Sequence, residues 1–243
     1  MAKNRKKVVL LIVEGNSDEV LLNQRLRQLF KQHDIRFEVK HTDILFSFDK
    51  NRKPIKALIG DVVKQFLSKR KFRNDDLLAV LHIVDTDGCF ISEDKVVIDD
   101  TQQNTTIYKE NLISVPDEKQ RQSIINRNTV KSKNIRSMNS IDGILGGTVT
   151  YRMYYFSRHL EHVIFNEPNP DKDTKLEKVE EFIDELTTPV EEFLKEQMPE
   201  WTSSDQNEQY VESWNKISQE VASLQRSTNV PLLFEFIQMK TSN

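Results

Sequence analysis

The sequence predicts an α/β fold: a mostly parallel sheet flanked by helices, followed by a C-terminal helical extension. Three observations carry this. Val8-Val9-Leu10-Leu11-Ile12-Val13 is an unbroken apolar run that stops at Glu14, and Val80-Leu81-His82-Ile83-Val84 is a second, apolar but for His82, that stops at Asp85-Thr86-Asp87-Gly88. Runs without alternation belong to strands covered on both faces, as parallel strands between helix layers are. Between the two runs stand two stretches of helical periodicity and one alternating stretch. That β-α-β-α-β order gives a parallel sheet with right-handed crossovers.

Taken in order, a strand over 7–13 leads through Gly15-Asn16-Ser17 into a helix that Asn16 or Ser17 caps. Val20, Leu21, Leu22, Leu26, Leu29 and Phe30 form its apolar stripe. Asp18 and Glu19 lie in its first turn, where the helix dipole favours negative charge. Ile35, Phe37 and Val39 alternate with charged residues and predict a strand over 35–41, which 43–48 continues. Pro54 opens a second helix whose Ile55, Leu58, Ile59, Val62, Val63, Phe66 and Leu67 share one face. The basic cluster Lys69-Arg70-Lys71 closes it, and the central strand follows at 78–84.

Beyond Gly88 the pattern predicts short strands at 95–98 and 106–115 and a helix at 117–126. Segment 128–147 carries Lys131, Lys133 and Arg136, ends in Gly143, Gly146 and Gly147, and reads as a mobile basic loop. Residues 151–165 read as an amphipathic helix returning to the site. From Asp171 the chain is mostly helical, broken at Pro189, with a long helix over 208–224 and a final apolar piece over 230–239. This divides the chain into an α/β core over 1–115 and a mainly helical extension over 116–243.

The 243 residues suffice for a full core, and a net charge of −3 makes no strong electrostatic claim on nucleic acid or membranes. Any nucleic-acid partner must then be held by local basic patches and by metal. Cys89 is the single cysteine, which excludes an intrachain disulfide and a cysteine-rich zinc cage. The basic N-terminus and the apolar run after it are interrupted by Glu14 and Asp18 too early for a signal peptide. No run approaches the roughly 18 apolar residues of a membrane span. A cytoplasmic protein without a membrane partner is expected.

The candidate site follows from where the acids stand. Glu14 ends one buried strand and Asp85 and Asp87 end another, at the carboxyl edge where open α/β sheets keep their ligand sites. In an extended segment Asp85 and Asp87 project to one side while Thr86 points away. Asp18, four residues after Glu14, is within reach of the same crevice. Crowded carboxylates repel, and a hard divalent cation with oxygen ligands relieves them.

Val8 to Leu22, with Glu14-Gly15 and Asp18, followed by Asp85-Thr86-Asp87-Gly88, resembles the two motifs of the Toprim domain. That domain is shared by type IA topoisomerases, bacterial primases and OLD-family nucleases, and the resemblance covers about residues 6–115. It implies a Toprim-like sheet, Glu14 as acid/base or ligand, and Asp85 and Asp87 as ligands of Mg²⁺ (or Mn²⁺). Tyr154 to Phe165 resembles the helix that supplies a further acidic ligand in OLD-like and stand-alone defence-associated Toprim proteins. Carried over residue by residue, that ligand is Glu161.

The resemblance thus implies a metal-dependent nuclease acting on DNA or RNA, tRNA included, in the setting of bacterial anti-phage defence. Glu14, Asp85 and Asp87 are its catalytic residues, and Glu14, Asp18, Asp85, Asp87 and Glu161 its metal ligands. OLD-like nucleases also place a basic residue near the metals; Lys131, Lys133 and Arg136 are candidates, and no motif chooses among them. No Gly-x-x-x-x-Gly-Lys-Ser/Thr stretch is present, so an ABC- or AAA-type ATPase would be a separate partner.

Three other readings compete. His159 and His162 flank Glu161 at a spacing that suits a transition metal. Ile83 to Gly88 also resembles the first motif of haloacid-dehalogenase-type phosphatases, with Asp85 as nucleophile and Asp87 as acid/base. Finally, the chain reads as a non-catalytic metal-binding module that docks onto an ATPase, its helical tail forming a partner or homodimer surface.

Overall fold

The computed structural model describes residues 7–31, 35–41, 44–46, 53–103, 105–171 and 173–242. Strand β1 (Lys7–Val13) is buried from Val8 onward, and helix α1 (Asn16–Leu29) follows it. Gly15 is the N-cap residue; neither Asn16 nor Ser17 caps the helix, and the Asp18 carboxylate instead accepts the Gly15 amide at 3.0 Å. Strand β2 (Ile35–His41) pairs parallel to β1. Residues 44–46 form a turn rather than a continued strand, and 43, 47 and 48 lie outside the described residues. Helix α2 (Ile55–Arg70), with Pro54 at its N-cap, returns the chain to β3 (Leu77–Asp85), which pairs parallel to β1 on its other side. The order β2-β1-β3 makes the gap between the carboxyl ends of β1 and β3 a topological switch point, where such sheets bind ligands.

A small second sheet follows, in the order β4 (Val96–Ile98), β6 (Ile113–Val115), β5 (Ile107–Tyr108). The single strand expected over 106–115 is thus two, because Lys109-Glu110-Asn111 forms a polar turn closed by the Lys109 amide on the Leu112 carbonyl at 2.9 Å.

Two expectations fail in the middle of the chain. Helix α3 spans Glu118–Asn139, so the mobile basic loop expected over 128–147 is helical through residue 139. Its buried stripe is Ile124, Asn128, Lys131, Ile135 and Met138, spaced as an apolar helix face but with two polar residues in it. The amphipathic helix expected over 151–165 is a strand, β8 (Val149–Ser157), with only a short helix α4 (Leu160–Phe165) after it. Tyr151, Met153, Tyr154, Tyr155 and Phe156 are all buried, and such aromatic residues favour a pleated, packed surface over a helix. Strand β8 pairs parallel to β3, while β7 (Gly143–Ile144) and β9 (Ser227–Thr228) pair antiparallel to β8.

From Asp171 the chain is mostly helical, as expected, with α5 (Lys175–Glu185), α6 (Val190–Lys195) after Pro189, α7 (Gln206–Ile217) and α8 (Pro231–Ser242), while β7, β8 and β9 of the same C-terminal half belong to the main sheet. Helix α7 ends at Ile217, short of 224, and Ala222–Leu224 forms a separate 3-10 turn. Helices α5 and α6 pack on α1, α8 packs on α6, and α3 packs on α2. These layers seal the faces of β1 and β3, where each fully buried Val, Leu or Ile contributes about 1.5–3 kcal/mol. Among the described residues no helix is long and apolar enough to cross a membrane.

Candidate functional site

Three parallel strand ends meet at one edge. Glu14 follows β1, Asp85 is the last residue of β3, and Arg158 and His159 follow β8. The Glu14 carboxylate accepts the Asp85 amide at 3.3 Å. The end of β8 then clamps the next turn: the Thr86 amide donates to the Phe156 carbonyl at 3.0 Å and the Asp87 amide to the Arg158 carbonyl at 2.9 Å. The Thr86 hydroxyl donates to the Ser223 carbonyl at 3.0 Å, but the segment is not extended as expected: Asp87 has φ +48°, and Asp85 lines the cleft without it. Gly88 is required here. Its φ is +66°, and a Cβ would come within 2.5 Å of Leu224.

Glu14, Asp18, Asp85 and Glu161 line one cleft of about 380 Å³, with Asp173 and Lys175 also in its wall. Burial pushes the Asp18 carboxyl up to about 6, against the Gly15 amide that favours the charged form, with the Glu161 charge adding to the rise. Burial also raises Asp85 well above the usual carboxylate range, and repulsion from Glu14, Asp18 and Asp87 adds to it. Glu161 is the opposite case. Burial disfavours its charge, but hydrogen bonding with His159 and the Lys175 ammonium at 3.1 Å outweigh that and pull it down to about 2.

Lys131 stands between the two motifs. Its side chain is 1% exposed, and its ammonium lies 2.6 Å from Asp87 and 3.3 Å from Glu14. Burial works against the charge, but Asp87, Glu14 and Asp85 hold the proton on, well above the ordinary lysine value. In return Lys131 and Arg127 overcome the burial of Asp87 and pull it down to about 2. Arg127 also donates to the Asp87 carbonyl and to the Tyr108 hydroxyl, each at 2.7 Å. Of the three basic candidates, Lys131 reaches the acids; Lys133 and Arg136 instead line a neighbouring cavity.

The two histidines are otherwise engaged. His159 caps α4 and has its Nδ1 3.0 Å from Glu161, while His162 Nδ1 accepts the Arg158 amide at 3.1 Å. Their rings stand 6.2 Å apart, and burial with the Arg158 charge lowers His162 to about 3.

In kind, the donors of the cleft fit a hard divalent cation. They are all carboxylates, and two of them are driven toward holding protons by burial, with neighbouring charges adding to it. In placement the set is not closed. Among the described residues no three Asp, Glu, His or Cys side chains already form a ligand cluster, and Asp87 is held by Lys131. The structure thus brings Glu14, Asp18, Asp85 and Glu161 to one cleft and leaves Asp87 beside it. Lys131 was hidden among the basic residues of a supposed loop. Its place on the 124/128/131/135/138 stripe was the signal that could have found it. No protein-family model, no curated protein and no solved structure matches the chain.

Proposed function

We propose that this protein is a metal-dependent nuclease that hydrolyses phosphodiester bonds of DNA or RNA. One observation carries the reading: Glu14, Asp18, Asp85 and Glu161, from distant parts of the sequence, line a single cleft at a topological switch point. Glu14, Asp18, Asp85 and Glu161 would hold Mg²⁺ or Mn²⁺ there. Such a cation supplies Lewis-acid polarisation of the phosphodiester and a nucleophile at neutral pH.

The chain's own residues do the positioning. Glu14, anchored by the Asp85 amide and the Lys131 ammonium, is the acid/base candidate of the cleft. Lys131 neutralises Asp87 and Glu14 and so holds the ends of β1 and β3 together beside the cleft. The phosphatase reading draws less support, because it makes Asp87 an acid/base, and the Asp87 carboxylate is held in an ion pair with the Lys131 ammonium at 2.6 Å. A role in anti-phage defence, with tRNA among the substrates and a separate ATPase as partner, rests on the Toprim resemblance alone.

The test is cleavage of single-stranded DNA, duplex DNA and RNA with Mg²⁺ or Mn²⁺ by the wild type, Glu14→Gln and Asp85→Asn. Cutting by the wild type that both substitutions abolish supports the reading. Cutting that survives both ends it.

A further inference from the structure

A second cavity, of about 450 Å³, opens beside the carboxylate cleft along α3. Its walls divide by chemistry. Phe90, Val96 and Ile125 give an apolar side, Asn128 and Ser132 a hydrogen-bonding side, and Lys133 and Arg136 positive charge. Both cations are exposed, and among the described residues neither makes an ion pair. The Arg136 guanidinium lies 5.2 Å from the centre of the Phe90 ring, a cation–π contact that leaves its charge unneutralised. Glu93 is the one acid in the lining.

The cavity is tied to the candidate site by sequence and by hydrogen bonds. Cys89 in its wall is two residues from Asp87. Asn128 in its wall donates to the Gly88 carbonyl at 3.4 Å and accepts from Arg127, which in turn holds the Asp87 carbonyl. Two successive turns of α3 therefore present Lys131 to the acids and Asn128, Ser132 and Lys133 to the cavity. The Cys89 thiol is buried and pushed up to about 12 by that burial, so it offers no nucleophile.

From this juxtaposition we infer that the α3 cavity is a nucleotide subsite, holding one base and sugar of a single strand while Lys133 and Arg136 hold its flanking phosphate. The assignment rests on the nuclease reading, which places a phosphodiester next door. An apolar wall, an amide and hydroxyl wall and two cations without an ion pair among the described residues match the three parts of a nucleotide: base, sugar and phosphate. Unpaired Lys and Arg side chains are the groups that hold phosphates in register along a strand.

The experiment measures binding without chemistry. A fluorescein-labelled single-stranded DNA dodecamer and its RNA counterpart are titrated with the full chain in EDTA at low salt, read by fluorescence anisotropy. The variants are Lys133→Glu/Arg136→Glu and a control of equal charge change, Lys31→Glu/Lys195→Glu, whose residues lie after α1 and at the end of α6. Thermal melting checks that each variant is folded. The subsite predicts at least tenfold weaker binding in the α3 variant than in the control for one or both strands. Equal weakening in both variants, or no binding by the wild type, overturns it. Because EDTA removes the metal, binding is read apart from cutting: a wild type that binds here but does not cut when Mg²⁺ or Mn²⁺ is added counts against the nuclease reading and not against the subsite.

Discussion

Lys131 places its buried ammonium 2.6 Å from the Asp87 carboxylate, so the turn after β3 is neutralised by a residue of α3, 44 positions away. The same ammonium reaches Glu14 at 3.3 Å, which ties the ends of β1 and β3 together before any ligand arrives. Breaking a buried pair by removing one partner strands the other charge.

Lys131→Met removes the counter-charge of Asp87 and Glu14 while keeping the side chain's bulk. Because Asp87 is 26% exposed and can draw on water, the expected loss of stability is about 2–4 kcal/mol, at or below the range for fully buried pairs. A urea titration measures it. Millimolar Mg²⁺ is expected to raise the melting temperature of the variant more than that of the wild type, since a cation can take over the lost charge. A wild-type urea midpoint in the variant contradicts the role given to Lys131.

Asp18 sets a pH dependence whose sign can be worked out. Its folded-state value, about 6, lies above its ordinary value of 3.8. Between the two the native state holds more protons than the unfolded chain, so this group's contribution to stability falls as pH rises through that window. Asp18→Asn keeps an acceptor for the Gly15 amide and cannot ionise. Without metal it is expected to be more stable than the wild type at pH 7–8 by roughly 1–3 kcal/mol, with the gain gone below about pH 4. Asp87 and Glu161, both pulled down to about 2, act in the opposite direction: their contribution is lost as pH falls from about 4 toward 2. Denaturant titrations across pH 3–8 separate the two, and a pH-independent Asp18→Asn difference refutes the first.

How much of this was legible depends on which residues fill the buried positions. Strands β1, β2 and β3 could be read because Val8 to Val13 is a continuous apolar run, Val80 to Val84 is apolar but for His82, and Ile35, Phe37 and Val39 alternate. The carboxyl-edge acids followed from those boundaries. Helix α3 beyond residue 126 was hidden because Asn128 and Lys131 occupy places on its buried stripe where apolar residues would announce a helix. They sit there because Asp87 and the Gly88 carbonyl, far away in sequence, need a cation and a donor. Strand β8 was misread because Tyr151 to Phe156 is nearly continuous in bulky residues, and the short helix carrying Glu161 follows directly. Sequence periodicity alone does not separate a buried strand from a buried helix segment.

The β8 assignment has its own test. His82 on β3 is fully buried, and its Nδ1 meets the Tyr151 hydroxyl on β8 at 2.8 Å while Nε2 has no partner among the described residues. Tyr151→Phe leaves both ring nitrogens unpaired and is expected to cost about 1–3 kcal/mol, read by chemical denaturation. In a helix over 151–165 the same change would be nearly silent.

Gly88→Ala is expected to destabilise by about 2 kcal/mol or more, because alanine at φ +66° is strained and its Cβ meets Leu224. Leu224 is itself fully buried and its truncation has its own cost, so the comparison is made within a Leu224→Ala background: with that clash gone, Gly88→Ala should cost less than in the wild type but not nothing, because the strain remains. No cost in that background would show that the backbone tolerates a side chain at this turn.

The central claim is that Glu14, Asp18, Asp85 and Glu161 form one cation site. Calorimetric titration of Mn²⁺ and Mg²⁺ into the wild type, Glu14→Gln and Asp85→Asn tests it most directly. The account predicts saturable binding by the wild type and at least tenfold weaker binding by each variant. Equal affinity in all three proteins, or no binding by the wild type, would contradict it.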